Sequence, residues 1–346
     1  MNTTFFQKLH QHCDRLNSHM NRFREAKILV VGDLTLDEFL VGEVERLSRE
    51  APVLILRHKH TRQIPGGGAN AVYNLAKLGA QIKVAGIIGQ DSQGEAICRI
   101  FAEAGIDTSG IVRDAQRPTV TKSRITGHAR QSVTQQIVRV DRKSDEMPSR
   151  EIQSQLVAYI KSQLPNVDAV VCSDYGDGVF SEAVIKTILE HDTVIVDTQK
   201  DLDRFAGATI FTPNLPEAEK AVRHPIESQA DLEQASKTLL NKTNADFMLI
   251  TRGEDGMSLF SDQDGLLKEE HVPAFNRTDV FDVTGAGDTV VAGWTLGYCV
   301  GAEPWECTVL GNLGASIVVR TFGTATTSVP EMQETLELLL EDNADP

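Results

Sequence analysis

The stretch DVTGAGDT at 282–289 places small residues directly before a carboxylate, and the apolar run VVAGWTLGYCV behind it reads as a helix. Gly285, Ala286 and Gly287 leave the backbone bare at that helix start, where unpaired N–H groups and the helix dipole favour an anion. Asp288 stands beside this anion hole. A carboxylate at a helix N-terminus is expected to stay ionised, which suits a base more than an acid. The implied chemistry is phosphoryl transfer, with a hole for the moving group and a base for the attacking hydroxyl. An ordinary capped helix is the plainer alternative, and a lone GxGD would not displace it.

Other patterns shift that balance. PGGGAN at 65–70 opens a helix around AVYNLAKLGA; its glycines permit close approach of a ligand to backbone, and Asn70 offers both donor and acceptor to a polyol. GDLTLD at 32–37 closes the first strand, so Asp33 or Asp37 could hold sugar hydroxyls or merely cap a turn. NLPE at 214–217 follows a strand. Asn214 and Glu217 could share a magnesium–water shell or form a capping box. TRGEDG at 251–256 joins a strand to an expected hairpin, GMSLF, either as a tight turn or as a grip on nucleotide phosphates. His58 and His60 form an HxH pair that reads as a solvated strand face. There is no GxxxxGK[ST] and no GxSxG, and GAGDTV lacks the third glycine of a dinucleotide fingerprint.

These residues need a frame, and the frame is strand, turn and helix repeated from Lys27 onward. KILVVGDL (27–34), IKVAGIIG (82–89), DAVVCSDYG (168–176), TVIVDT (193–198), ATIFTPN (208–214) and DFMLITRG (246–253) are short apolar runs suited to strands buried on both faces. Helical patterns lie between many of them, at about 69–78, 92–104, 150–163, 181–190 and 229–242. The expected fold is α/β, with a mainly parallel central sheet and helices on both faces. In such sheets ligands bind beyond the carboxyl ends of the strands, where the motifs above fall. PVLILRHKH (52–60), TVTKSRIT (119–126) and QQIVRVD (135–141) are β-like but not separated by helices. They predict a small β-sheet lid from segments at about 38–65 and 117–141. Residues 1–26 carry Phe5, Leu9, Cys13, Leu16, Met20 and Phe23 at helical spacing. That stripe is either an extra helix packed on the domain or a dimerisation helix. The expected organisation is a 1–26 helical extension, a 27–341 domain and a 342–346 acidic tail.

Composition narrows the function. With 34 Lys+Arg against 49 Asp+Glu, the 346-residue chain carries a net charge of -15, which argues against a wide nucleic-acid footprint. Its five cysteines are odd in number and form no CxxC pair, so no disulfide framework or zinc ribbon is expected. No apolar run is long enough for a membrane span and no secretory signal is visible. A cytoplasmic location and no membrane partner are expected.

Taken together, the early glycine motif and the late DVTGAGDT resemble the ribokinase-like (PfkB-type) sugar kinases, over about 27–330. The resemblance implies ATP, Mg²⁺ and transfer of the γ-phosphoryl to a sugar hydroxyl. Carried over residue by residue, it makes Asp288 the catalytic base with Gly285, Ala286 and Gly287 as its anion hole. It puts Asp37, Gly66, Gly67 and Asn70 on the sugar, and Asn214, Glu217, Thr251, Gly253 and Gly256 on nucleotide and magnesium. Asn312 falls by the adenine region. Many members bind potassium, and the matching positions are Asp282, Thr284, Val318, Thr321, Gly323 and Thr327. Within the family, GDLTLDEFLVGEVERLSREAPV, PTVTKSRI, SDYGDGVF and FTPNLPEAE are most similar to kinases of D-glycero-β-D-manno-heptose 7-phosphate, a branch that includes the kinase half of a bifunctional heptose enzyme. Asp174, in SDYGDGVF, joins the substrate positions on that likeness. Lys122 and Arg124, two apart on a strand, share a face, and with Arg139 they could clamp a sugar phosphate or form a basic face in water. No HxGH occurs, so adenylyl transfer is not expected. The favoured reaction is O1-phosphorylation of the heptose 7-phosphate by a homodimeric enzyme. A fructose or ribose kinase and a non-catalytic sugar- or nucleotide-binding regulator are the competing readings.

Overall fold

Residues 3–128, 135–263, 265–276 and 280–343 are described in the computed structural model. The end of the expected acidic tail, 344–346, and lid residues 129–134 lie outside the described residues. The strands are β1 (Lys27–Gly32), β2 (Leu34–Leu47), β3 (Leu54–Gly67), β4 (Gln81–Gly89), β5 (Asp107–Asp114), β6 (Val120–His128), β7 (Gln135–Arg142), β8 (Ala169–Asp174), β9 (Val194–Thr198), β10 (Ile210–Phe211), β11 (Phe247–Thr251), β12 (Met257–Gln263) and β13 (Leu266–Val272). The helices are α1 (Thr3–Arg22), α2 (Gly68–Lys77), α3 (Ser92–Glu103), α4 (Arg150–Gln163), α5 (Glu182–Ile188), α6 (Leu215–Val222), α7 (Gln229–Thr243), α8 (Ala286–Cys299), α9 (Pro304–Val318) and α10 (Val329–Glu341).

Nine strands form the central sheet in the order β13-β12-β11-β10-β9-β8-β1-β4-β5. The ladders from β11 across to β5 are parallel, and only the β11–β12 and β12–β13 pairs are antiparallel. Alternation along each strand feeds two cores. Ile28 and Val30 of β1 join Val72, Trp294 and Leu313 on one face. Leu29 and Val31 join Leu156, Val184 and Leu239 on the other. Helices therefore cover both faces, and the apolar runs are continuous because both sides of each strand are dry. Of the run at 208–214, Ile210–Phe211 form the strand, and Asn214 adds a single parallel bridge to Thr251. Pro213 has no N–H to donate, and Asn214 already caps α6.

The lid is a separate four-stranded sheet, β3-β2-β6-β7, in which β2 and β6 run parallel and the outer pairs antiparallel. Only Asp33 separates the last residue of β1 from the first of β2, so the lid springs directly from the end of a core strand. Helix α1 packs against α9 and α10 through Leu9, Leu16 and Met20, all buried. Its polar face holds Glu306, fully buried in the first turn of α9, with His12 Nδ1 at 2.8 Å and Arg15 Nε at 3.1 Å. All five cysteines are free thiols. Among the described residues no helix is long and apolar enough to cross a membrane.

Candidate active site

Strands β8 to β11 run parallel, so the residues just past their carboxyl ends share one edge of the sheet. Asp174 ends β8 and Tyr175 follows it, Asp197 is the last but one residue of β9, Thr212 and Asn214 follow β10, and Thr251 ends β11. Opposite them lies the start of α8. Together these residues line a cleft of about 260 Å³ that also takes in Glu217, Val283, Gly285, Gly287 and Asp288.

Helix α8 begins at Gly285, whose φ of 80° is left-handed. A side chain there would be strained by that φ, and its Cβ would fall 2.6 Å from Asn70 Nδ2. Glycine thus lets α8 meet α2, and the two helices are stitched by a polar chain. Asn70 Nδ2 donates to Asp288 Oδ2 at 2.7 Å, Asn74 Nδ2 donates to the Asn70 carbonyl at 3.0 Å, and Thr289 Oγ1 donates to Asn74 Oδ1 at 2.9 Å. The hole is narrower than the sequence suggested. The Ala286 amide donates to the Val283 carbonyl at 3.2 Å, so it is turned into the loop. A Cβ built on Gly287 would meet nothing within 4 Å, and that open space faces the cleft.

Asp288 departs from the sequence expectation of an ordinary ionised carboxylate. Burial raises its pKa to about 7, against the lowering effect of its hydrogen bonds from Asn70 and Tyr175. The helix start does not offset the loss of water, because only 4% of the residue is exposed. Tyr175 Oη stands 3.5 Å from Asp288 Oδ1. The Asp288 charge, then burial, holds this phenol well above its usual range. Asp197 is likewise pushed well up, by burial and then by the charges of Asp288 and Glu217, while burial raises Glu217.

On the lid side, Asp37 lies on β2 beside Gly66 at the end of β3, close enough that a Cβ on Gly66 would sit 2.6 Å from Asp37 Oδ2. Gly67 is the last residue of β3, directly before α2. Arg124 of β6 does not stand free. Its Nη1 donates to Asp37 Oδ1 at 2.6 Å, and both side chains are largely buried. Arg139 pairs with Arg124 across β6 and β7, yet its Nε contacts Asp141 at 2.8 Å in a half-exposed position. Lys122 is the member of the trio that turns toward the strand-end cleft, with Nζ 5.5 Å from the centre of the Tyr175 ring.

Several candidates are engaged by the protein itself. Asp174 Oδ2 accepts from Thr198 Oγ1 at 2.8 Å and Arg204 Nη1 at 2.9 Å, and its Oδ1 accepts from the Gly176 amide at 3.0 Å. Asp33 accepts three amides of the loop after β8, in the manner of a turn cap. Asn214 and Glu217 form the capping box of α6 while lining the cleft. Thr251 lines the cleft, whereas Gly253 and Gly256 shape a turn closed by the Arg252 amide on the Gly256 carbonyl at 2.8 Å. Asn312, buried in α9, donates to the Pro273 carbonyl at 2.7 Å. Among the suggested cation positions, Asp282 accepts the Thr284 and Gly323 amides, each at 2.9 Å. The Val318 carbonyl accepts the Thr321 amide, and Thr327 Oγ1 turns to Glu331 at 3.3 Å.

Sequence reasoning passed over Tyr175, Asp197 and Asn74. Asp197 is the last but one residue of a parallel strand, so the strand-end rule could have found it. Asn74 lies one helical turn after Asn70 and so shares its face. Tyr175 had no signal beyond its place after β8.

An α/β fold with a sheet lid, and a buried carboxylate at a glycine-lined helix start facing a strand-end cleft, together define a carbohydrate kinase. The description "pfkB family carbohydrate kinase" matches residues 25–332, and the chain belongs to that family. It is 38% identical over 334 residues to the bifunctional protein HldE of Trichlorobacter lovleyi, covering 95% of this chain and 66% of that protein. The corresponding protein of Pelobacter propionicus is 37% identical, with 95% and 67% covered. The chain thus spans about two thirds of the length of these relatives. Among solved structures, Arabidopsis thaliana ribokinase complexed with ribose and ATP aligns with a TM-score of 0.67 at 20% identity, over 91% of this chain and 99% of that one. Phosphofructokinase-2 from Escherichia coli in complex with potassium aligns with a TM-score of 0.72 at 18% identity, over the same shares. These two likenesses concern the fold alone.

Proposed function

We propose that the chain transfers the γ-phosphoryl of ATP to O1 of D-glycero-β-D-manno-heptose 7-phosphate, with Asp288 as the base. The observation that carries the reading is Asp288 itself: buried, held by Asn70, and facing open space beside Gly287. The sugar hydroxyl gives its proton to Asp288 as its oxygen bonds to the γ-phosphorus, and the bond to the β-phosphate oxygen breaks to release ADP. A carboxylate with a pKa of about 7 is matched to that task near neutral pH. Gly285 and Gly287 leave room at the α8 start for the transferring group, whose charge the helix dipole favours. Asp37, Gly66 and Asn70 are assigned to the sugar, and Thr251, Gly253 and Gly256 to the nucleotide phosphates.

Magnesium would be held through water by Asn214 and Glu217, next to Asp197. The donors fit, because these are hard oxygen ligands, and after burial the charges of Asp288 and Glu217 also push Asp197 up, a repulsion a divalent cation relieves. Bound there, it supplies charge neutralisation on the phosphates. For a monovalent cation, Asp282, Thr284 and Gly323 are already drawn together, while Thr327 is engaged by Glu331.

The heptose phosphate is supported by likeness over 95% of the chain to the HldE proteins and by Lys122 beside Tyr175. A second reading, a kinase of an unphosphorylated sugar, draws on Arg124 and Arg139 being paired with Asp37 and Asp141. Measuring ADP release and product mass with the heptose 7-phosphate, fructose and ribose decides between them. Turnover of a free sugar with none of the heptose phosphate reverses the order.

A further inference from the structure

We propose that Asp33 is a positioning residue that fixes the loop 174–179, and with it Tyr175, against the proton acceptor Asp288. The inference rests on Asp288 being the base. Its own support is a convergence of hydrogen bonds on one buried side chain.

Asp33 is 1% exposed and stands between β1 and β2, at the root of the lid. Its Oδ2 accepts the amides of Tyr175 at 2.9 Å and Asp177 at 3.0 Å, and its Oδ1 accepts that of Val179 at 3.1 Å. Three alternate amides can face one carboxylate because the residues between them, Gly176 and Gly178, have φ of 80° and 104°. Successive amides curled in this way make an anion-binding concavity. Here the anion belongs to the protein. The backbone of Asp33 completes the junction: its amide donates to the Ser173 carbonyl at 3.1 Å, and its carbonyl accepts the Gly68 amide at 2.9 Å. One residue thus ties the end of β8, the start of α2 that carries Asn70, and the loop that carries Tyr175. Arg117, just before lid strand β6, adds a bond from Nη2 to the Asp177 carbonyl at 2.6 Å. Both groups that touch Asp288, Asn70 and Tyr175, therefore hang from elements that Asp33 joins.

Asp33→Asn keeps the shape but replaces one accepting oxygen by an NH₂ that opposes the amides. Loosening groups that hold a reacting residue costs on the order of 10²-fold in rate. We expect kcat per nucleotide-binding site to fall by that order on the preferred sugar while the KM for ATP stays within about twofold; counting sites by nucleotide titration removes any loss of folded protein, which alone would lower the apparent kcat without moving KM. Tyr175→Phe should lower kcat as well. If Asp33 acts through Tyr175, the double variant is no slower than the slower single one. Multiplying losses in the double variant, or a wild-type kcat in folded Asp33→Asn, overturns the proposal. Should Asp33→Asn fail to fold, a fully active Tyr175→Phe overturns it alone. Asp288→Asn is the control. If that variant turns over normally, the base assignment has failed; if it is dead while Asp33→Asn is fast, only this inference has.

Discussion

Replacing Asp288 by Asn should abolish turnover and at the same time stabilise the protein at alkaline pH. Asn fits the site, since its Oδ1 can still accept from Asn70 Nδ2, now 2.7 Å from Asp288. It cannot take a proton from the sugar hydroxyl, and loss of a general base costs roughly 10²–10⁴-fold. The stability effect follows from burial. In the folded protein the Asp288 carboxyl titrates at about 7 against an ordinary 3.8. The folded state keeps a proton that the unfolded chain releases, so stability falls as pH rises from 3.8 to 7 and is flat above. About three pKa units at 1.36 kcal/mol each amount to about 4 kcal/mol. Asn stays neutral and escapes that loss. With an unfolding entropy of about 2.1 cal/mol/K per residue over the 346 residues of the chain, Tm at pH 8 should rise by up to about 5 °C. The gap should narrow as pH is lowered toward 5. The assays are sugar-dependent ADP release and thermal melts at pH 5, 6.5 and 8, with nucleotide binding retained as a check on folding. In the wild type, turnover should drop about tenfold per unit below pH 7, as the base becomes protonated. An Asn variant within a few-fold of wild-type turnover, or one that melts below wild type at pH 8, refutes the assignment.

Gly285→Ala puts a Cβ 2.6 Å from Asn70 Nδ2 at a φ of 80°; breaking the Asn70–Asp288 bond should cut turnover at least tenfold, read by ADP release. Gly287→Val meets no protein atom at its Cβ, so the melt should be unchanged while the filled cleft collapses turnover; normal activity in a folded variant would remove the phosphoryl site from α8. Lys122→Ala should raise the KM for the heptose 7-phosphate by roughly tenfold or more, through loss of a charge-assisted contact, and leave the KM for ATP alone. Deleting residues 1–22 strips Leu9, Leu16 and Met20 from α9 and α10 and bares Trp305; a lower Tm and binding of a hydrophobic dye are the expected readouts.

Much of this molecule is legible in its residues because the signals are local. Apolar runs at 27–34 and 246–253 mark strands dry on both faces, and DVTGAGDT reads as a helix start open to an anion, whatever surrounds them. The three β-like segments at 52–60, 119–126 and 135–141, which no helix separates, point to the second sheet for the same reason. What no local pattern contains is the meeting of distant side chains. Asp288 is displaced to a pKa of about 7 by burial, against the lowering hydrogen bond from Asn70, 218 residues earlier. Arg124 reads either as a phosphate ligand or as part of a basic face in water, yet strand register sets it against Asp37, 87 residues away. Asp33 reads as a sugar ligand or a turn cap, and the fold has it gather amides from 175 to 179. Hydrogen-bond partnership and desolvation depend on what the fold brings within about 3 Å. Residue type and spacing announce the groups that can do chemistry, and only packing decides which are left free to do it.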